Sequence, residues 1–222
     1  MSSTGKIAKC IIAEQDINNL VNTLEYFESI YAPCASVNII VNDAAGFNNT
    51  TGLKGNEDVE IAFGAADGET INMKFKTIIV GDRTRVKDGQ DLMMLTAVPQ
   101  EFTDNNSKEV VKTYSGKKVS DIVKELHGDM TKESTTIKKD LVTNEETEGN
   151  VTYTGTGKSP ITVIRWAAKE AKSAEAKASN YVFYQDREGY HFRTVDKMLE
   201  GSAGETLSYA IQNIGAAGGD PK

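Results

Sequence analysis

The sequence is short of cysteine and histidine: Cys10, Cys34, His127 and His191 are the full set in 222 residues. Two thiols are too few for a disulfide scaffold, and no cysteine is spaced to join either histidine in a zinc site. Free thiols in a reducing compartment are expected. Basic residues are also short, with 25 Lys and Arg against 32 Asp and Glu and a formal net charge of -7. A protein that wraps nucleic acid by neutralising phosphates needs the opposite balance. No apolar run approaches the ~18 residues of a membrane span, and the opening MSSTGKIAKC has no apolar signal core. The expectation is folding in a cytoplasm, without stable membrane insertion.

Catalytic signatures are missing too. Gly157-Lys158-Ser159 resembles the end of a phosphate-binding loop, but Thr152 stands where its first glycine belongs. Pro160 also removes an amide from the helix start that a phosphate would use. A flexible loop leading into a Ser-Pro helix cap is expected instead. No Gly-x-Ser-x-Gly elbow occurs, and NDAAGFNNTTG lacks the alternating oxygens of a calcium loop. Glu145-Glu146 falls in a polar stretch and is expected to be solvated. His127 is expected near a helix end, facing its carbonyls. No catalytic, cofactor-binding or metal-binding residue is assigned, no cofactor is implied, and an enzyme is not expected.

What the chain does hold is enough for a core, at 39% hydrophobic residues. The first ~100 residues read as strands. Leu20 to Ile30 and Val37 to Val41 are rich in β-branched and aromatic residues, and Val59 to Phe63 alternates. Ile71, Met73, Phe75 and Ile79 share one face of a long strand, with Asn72, Lys74 and Lys76 opposite. Asp88-Gly89 suits a tight turn into a partner strand, Leu92 to Val98. An antiparallel barrel or sandwich follows. The Gly/Asn-rich loop 44–58 is expected to be functional or an interface arm.

After Pro99 the periodicity becomes helical. Val119, Ile122, Val123 and Leu126 form one stripe, which Gly128 is placed to end. Residues 132–150 are polar and turn-like. Ser159-Pro160 opens a second helix with a stripe of Ile161, Ile164, Ala168 and Ala171, extended by AAKEAKSAEAKA. Trp166 is expected between helix and sheet. Then comes NYVFYQDREGYHFRTVD, in which Tyr181, Phe183, Tyr184, Tyr190 and Phe192 flank a turn at Asp186 to Gly189. These aromatics suit a core hairpin, a stacking platform or an active-site wall. The adjacent amphipathic helix and the balanced charges favour the core hairpin. A strand over Thr206 to Gln212 precedes a featureless tail.

Three segments together resemble a known family. SKEVVKTYSGKKVSDIVKELHGDM (107–130), SPITVIRWAAKEA (159–171) and SNYVFYQDREGYHFRTVDKML (179–199) are similar to the strand, helices and hairpin of the baseplate hub proteins of contractile-tailed bacteriophages. GNEDVEIAF (55–63) and LMMLTAVPQEF (92–102) fit that family's first barrel. The resemblance covers most of residues 20 to 212.

It implies an α+β protein: an N-terminal antiparallel, tail-tube-like β-barrel (1–100), then a small α+β domain with two helices and the aromatic hairpin (101–203). Residues 204–222 would be a strand and tail that could open a second barrel; hubs of this kind are longer, so the expectation is either a fragment or short form, or a second barrel supplied by another chain. The implied function is structural, in a virion tail baseplate assembled in the host bacterial cytoplasm. Three copies would form a ring between the tail tube protein and the central spike protein, touching other baseplate proteins, with DNA only in transit through the lumen. Two other classes compete: a carbohydrate-binding or adhesin module of a virion or cell surface, using the aromatic hairpin, and a small hydrolase using His127 or His191.

Overall fold

The structure is a computed structural model that describes residues 5–44, 46–65, 70–87, 90–175 and 179–200. Its first half is one antiparallel sheet. The strands are β1 (Gly5–Ile12), β2 (Gln15–Asp16), β3 (Val21–Phe27), β4 (Ser36–Asp43), β5 (Asp58–Ala65), β6 (Ile71–Lys87) and β7 (Gln90–Val98), in the order β2-β1-β5-β6-β7-β4-β3. Alternation sets the inner face. Cys10 and Ile12, Val37, Ile39 and Val41, Val59 and Ile61, Met73 and Phe75, and Met93, Leu95 and Ala97 point into one buried cluster. The sheet curls around it. Tyr26, on the end strand β3, packs against Phe63 of β5 (ring centroids 5.2 Å apart) and Phe75 of β6 (6.4 Å).

The curl makes a half-barrel. Among the described residues the ladder does not close, and β2 and β3 stand at its two ends without pairing to each other. The expected barrel is corrected to that extent. The physical reason is the length of β2, which offers two ladder positions, Ile11↔Asp16 and Ile12↔Gln15.

One expectation in this half needs amendment. Ile79 does not share the inner face with Met73 and Phe75. The pairing register of β6 on β7 shifts between Thr77 and Ile79, which turns Ile79 outward and leaves it 49% exposed. Loop 44–58 holds local structure of its own. It carries a short helix, α1 (Phe47–Thr51), whose Phe47 ring enters the core. The Asp43 carboxylate caps it, accepting from the amides of Phe47 and Asn48. Farther along, Glu57 accepts from the amides of Lys54 (2.7 Å) and Gly55 (3.0 Å) and from Thr77 Oγ1 (2.6 Å). The Asp88-Gly89 turn lies outside the described residues; the flanking Lys87 and Gln90 pair directly.

The second half is built on a separate buried cluster. Its elements are α2 (Gln100–Asn105), β8 (Thr113–Lys117), α3 (Val119–Thr131), β9 (Leu141–Asn144), β10 (Val151–Thr154), α4 (Pro160–Glu170), β11 (Tyr181–Gln185), β12 (Tyr190–Thr194) and α5 (Val195–Leu199). β8 pairs with β10, and β11-β12-β9 form a second small sheet with β9 parallel to β12. The α3 stripe is as expected, with Val119, Ile122, Val123 and Leu126 buried, joined by Met130. Gly128 does not end the helix. It sits inside it on the solvent side, where an added Cβ would meet nothing within 4 Å. Gly128→Ala is therefore expected to stabilise the protein by about 0.5–1 kcal/mol, measured as a rise in the denaturant midpoint at constant slope.

Helix α4 starts at Pro160 as expected, with Ile161, Ile164, Ala168 and Ala171 buried. Ser159 does not cap its amides; its hydroxyl lies 2.9 Å from Thr162 Oγ1. Asn105, from α2, accepts from the Ile161 amide at 2.9 Å instead. The alanine-rich run does not prolong the helix either. The chain turns extended at Ala171, and Ser173 bridges to Thr147. That bridge, with β9, gives the polar segment 132–150 a structural role. Helix α2 and strand β9 are additions to the expected elements. The strand expected over Thr206 to Gln212, with the rest of 204–222, lies outside the described residues.

Candidate functional site

The aromatic hairpin β11–β12 touches the first half through its turn end, while helix α2 packs near β6. Its register is Tyr181↔Thr194, Phe183↔Phe192 and Gln185↔Tyr190. Tyr181 stacks on Phe192 (centroids 4.7 Å apart), Phe183 on Tyr190 (5.4 Å) and Tyr184 on His191 (4.9 Å). All five expected aromatics are buried. A sugar or base platform needs exposed ring faces, so the hairpin is a core element and not a stacking surface. Trp166 is half-buried, against Tyr153 of β10 at 4.6 Å, between helix and sheet as expected.

Polar contacts tie this hairpin to the curled sheet. Gln185, fully buried, accepts from the Ala35 amide at 3.1 Å and donates to the Lys138 carbonyl at 3.1 Å. The Arg187 amide donates to Glu28 Oε1 at 2.7 Å. Glu101, at the start of α2, is also fully buried. It accepts from Tyr190 Oη (2.8 Å), Ser134 Oγ (2.6 Å) and Thr136 Oγ1 (2.5 Å). Burial, with this carboxylate beside it, holds the Tyr190 phenol well above its ordinary range. Glu101 and Gln185 are invisible in the sequence, because a single polar residue at an element end carries no periodicity.

Glu145 is not solvated. Its carboxylate accepts from Ser173 Oγ (2.6 Å), the Thr194 amide (2.7 Å) and Thr194 Oγ1 (3.0 Å). Burial alone would raise its pKa, but these hydrogen bonds outweigh it and hold the group below the usual carboxylate range. Glu146 is exposed and pairs with Lys118. His127 lies within α3 rather than at its end, edge-on to Tyr190 at 5.0 Å and Phe183 at 6.4 Å. Burial pushes it down to about 4, so it is neutral near pH 7. Both cysteines are buried free thiols pushed up to about 12 by burial.

The candidate chemistry does not converge. His127 and His191 sit in different surroundings. His191 Nδ1 lies 3.1 Å from Thr143 Oγ1, and its Nε2 lies 3.1 Å from Asp186 Oδ1. Hydroxyl, imidazole and carboxylate in line outline an acyl-transfer relay. Here the ring is 3% exposed and covered by Tyr184, so it is not presented to a substrate. The Gly157-Lys158-Ser159 run is no phosphate cradle and no loose loop. It zips onto residues 110–112 through Gly155 N to Lys112 O (3.0 Å), Gly157 N to Val110 O (3.1 Å) and Val110 N to Lys158 O (2.9 Å).

Three surface features stand out. Strand β3 offers a seven-residue edge at one end of the ladder. The β6–β7 hairpin projects, with residues 83–87 exposed. On the outer face Ile79 and Met94 are diagonal neighbours, both about half exposed, and Ile40 stands opposite Met94. Among the described residues no helix is long and apolar enough to cross a membrane.

No protein-family model matches the chain, and no curated protein does. Solved structures do. The 43 kDa tail protein of prophage MuSo2 from Shewanella oneidensis aligns at 9% identity with a TM-score of 0.57, over 85% of this chain and 53% of that one. A tail protein from Neisseria meningitidis MC58 aligns at 11% identity with a TM-score of 0.52, over 85% of this chain and 50% of that one. The Francisella PdpA–VgrG complex aligns at 11% identity and a TM-score of 0.47, over 91% of this chain and 30% of that one. This chain spans about half the length of the two tail proteins, and it shares its fold with the matching part of each.

Proposed function

We propose that the protein is a structural component of a phage virion, a baseplate hub subunit that joins the tail tube to the central spike, and that it is not an enzyme. The observation that carries this reading is the curled seven-stranded sheet, open at both ends of its ladder among the described residues, in a fold shared with tail proteins. An open ladder is a pairing template, so strands from neighbouring subunits complete the barrel wall and close a ring of three. The apolar outer strip of Ile79, Met94 and Ile40 suits burial in that ring. The hairpin buttress fixes the second half against the sheet, which gives the spike-facing side a rigid footing. The net charge of -7 suits a conduit through which DNA passes without being held.

Light scattering on the purified chain, alone and with the proteins encoded beside it, tests this. A trimer, alone or formed with a spike protein, is expected. A chain that stays monomeric with every structural partner sinks the reading. The double change Ile79→Lys with Met94→Lys is expected to leave the circular dichroism spectrum unchanged while abolishing assembly, because both side chains already face solvent in the monomer.

A further inference from the structure

We propose that Asp186, Glu188 and His191, at the tip of the aromatic hairpin, form a three-ligand site for a divalent transition-metal ion. One oxygen from each carboxylate and one nitrogen of the imidazole lie within 4.8 Å of one another. Ligands about 2.1 Å from a tetrahedral zinc ion stand ~3.4 Å apart, so closure needs only side-chain rotation. The most constrained ligand is already in place. His191 is 3% exposed, its ring is stacked on Tyr184, and its Nε2 points at Asp186. Thr143 Oγ1 sits 3.1 Å from Nδ1, where it accepts the proton of the tautomer that frees Nε2 for a metal.

Two carboxylates face the imidazole, and among the described residues neither forms an ion pair with Lys or Arg. Lys138 and Arg187 lie close by, lining the same cavity as Glu188, but they do not neutralise the site by pairing with its carboxylates. The nearby Arg193 is engaged by the Tyr184 hydroxyl at 2.7 Å. Glu188 is the exposed ligand and supplies the entry path. It lines a cavity of about 390 Å³ with Thr70, Asn72, Lys138 and Arg187, roomy enough for the water that completes the coordination shell. An imidazole with two carboxylates selects zinc or a similar ion over magnesium or calcium, which prefer oxygen alone. The site bridges the two halves, because the Arg187 amide inside the same turn donates to Glu28 after β3. A bound ion therefore locks the hairpin turn at the junction.

The test is calorimetric titration of Zn2+ into the full metal-free chain near neutral pH, with Mg2+ and Ca2+ titrated in parallel. One ion per chain is expected, with zinc preferred. Asp186→Asn keeps the oxygen that accepts from the turn amides of Glu188 and Gly189. It is expected to weaken zinc by about tenfold or more, as is Glu188→Gln on the exposed side. Glu148→Gln, the same charge change elsewhere on the surface, is expected to leave affinity unchanged. No zinc binding, equal response to calcium, or binding that ignores both Asp186→Asn and Glu188→Gln overturns the proposal. Glu188→Gln keeps the test independent of folding.

Discussion

Replacing Glu145 with alanine is expected to lower the unfolding free energy by about 2–3 kcal/mol, because it removes the acceptor of several buried neutral donors. The carboxylate answers four donors: the Thr194 amide, the Thr194 hydroxyl, the Ser173 hydroxyl and, more distantly at 3.4 Å, the Tyr181 hydroxyl. Each buried donor left without an acceptor costs about 1–3 kcal/mol, less where a hydroxyl can rotate to another acceptor. The amide cannot rotate, so it carries the larger share. The loss is expected in urea melts as a lower midpoint. It should also appear as early amide exchange at Thr194, where β12 passes into α5. Acid acts on the same group. Its folded pKa is depressed, so its contribution is complete above the unfolded value of about 4.3 and is lost as pH falls through the folded one. His127 reinforces this from higher pH. Its folded value of about 4 lies below the unfolded value near 6.5, so stability falls as pH drops from 6.5 towards 4. The second half is thus expected to yield to mild acid before the sheet does. A tryptophan fluorescence titration through Trp166 reads it, and simultaneous loss of both halves at one pH would contradict it.

The other large effect is expected at Gly155. A Cβ there would overlap the Val110 carbonyl oxygen and stand 2.7 Å from its carbon and 2.9 Å from the Lys112 oxygen. All three are backbone atoms, so no side chain can move aside. Gly155→Ala must part the strand-like run 155–158 from residues 110–112, breaking the bonds from Gly155 and Gly157 to their carbonyl partners. The expected loss is about 3 kcal/mol, at the upper end for overpacking. Exchange protection is expected to vanish at Val110 and Gly157 while α3 stays protected. An alanine variant as stable as the parent would mean that the two segments do not approach this closely in solution.

Both effects sit where local sequence is least informative. Glu145 looks solvated in a run of polar residues because nothing local reveals that Thr194, 49 positions on, will aim its amide at it. Gly155 looks like loop glycine because close approach is a property of two segments. Ile79 departs from its expected face for a related reason. Period two is the right rule, but the register shift after Thr77 inserts an extra residue and reverses the faces. Gly128 and the alanine-rich run show the limits of propensity. The buried stripe carries α3 past a glycine, and the bridge of Ser173 to Thr147 stops a good helix-forming run at Glu170.

The sequence by itself determined the strand-then-helix order, the alternation of β5 and of the first part of β6, the two amphipathic helices and the buried aromatic hairpin. Each rests on a local period of 2 or 3.6 that survives in any context providing one wet and one dry side. Only the tertiary structure decided that the sheet curls and stays open, that β9 lies parallel to β12, and that Glu101, Glu145 and Gln185 are buried and bonded. It also brought Asp186, Glu188 and His191 around one point. These features depend on pairings between residues far apart in the chain, and a pairing partner leaves no periodic trace in the segment it pairs with.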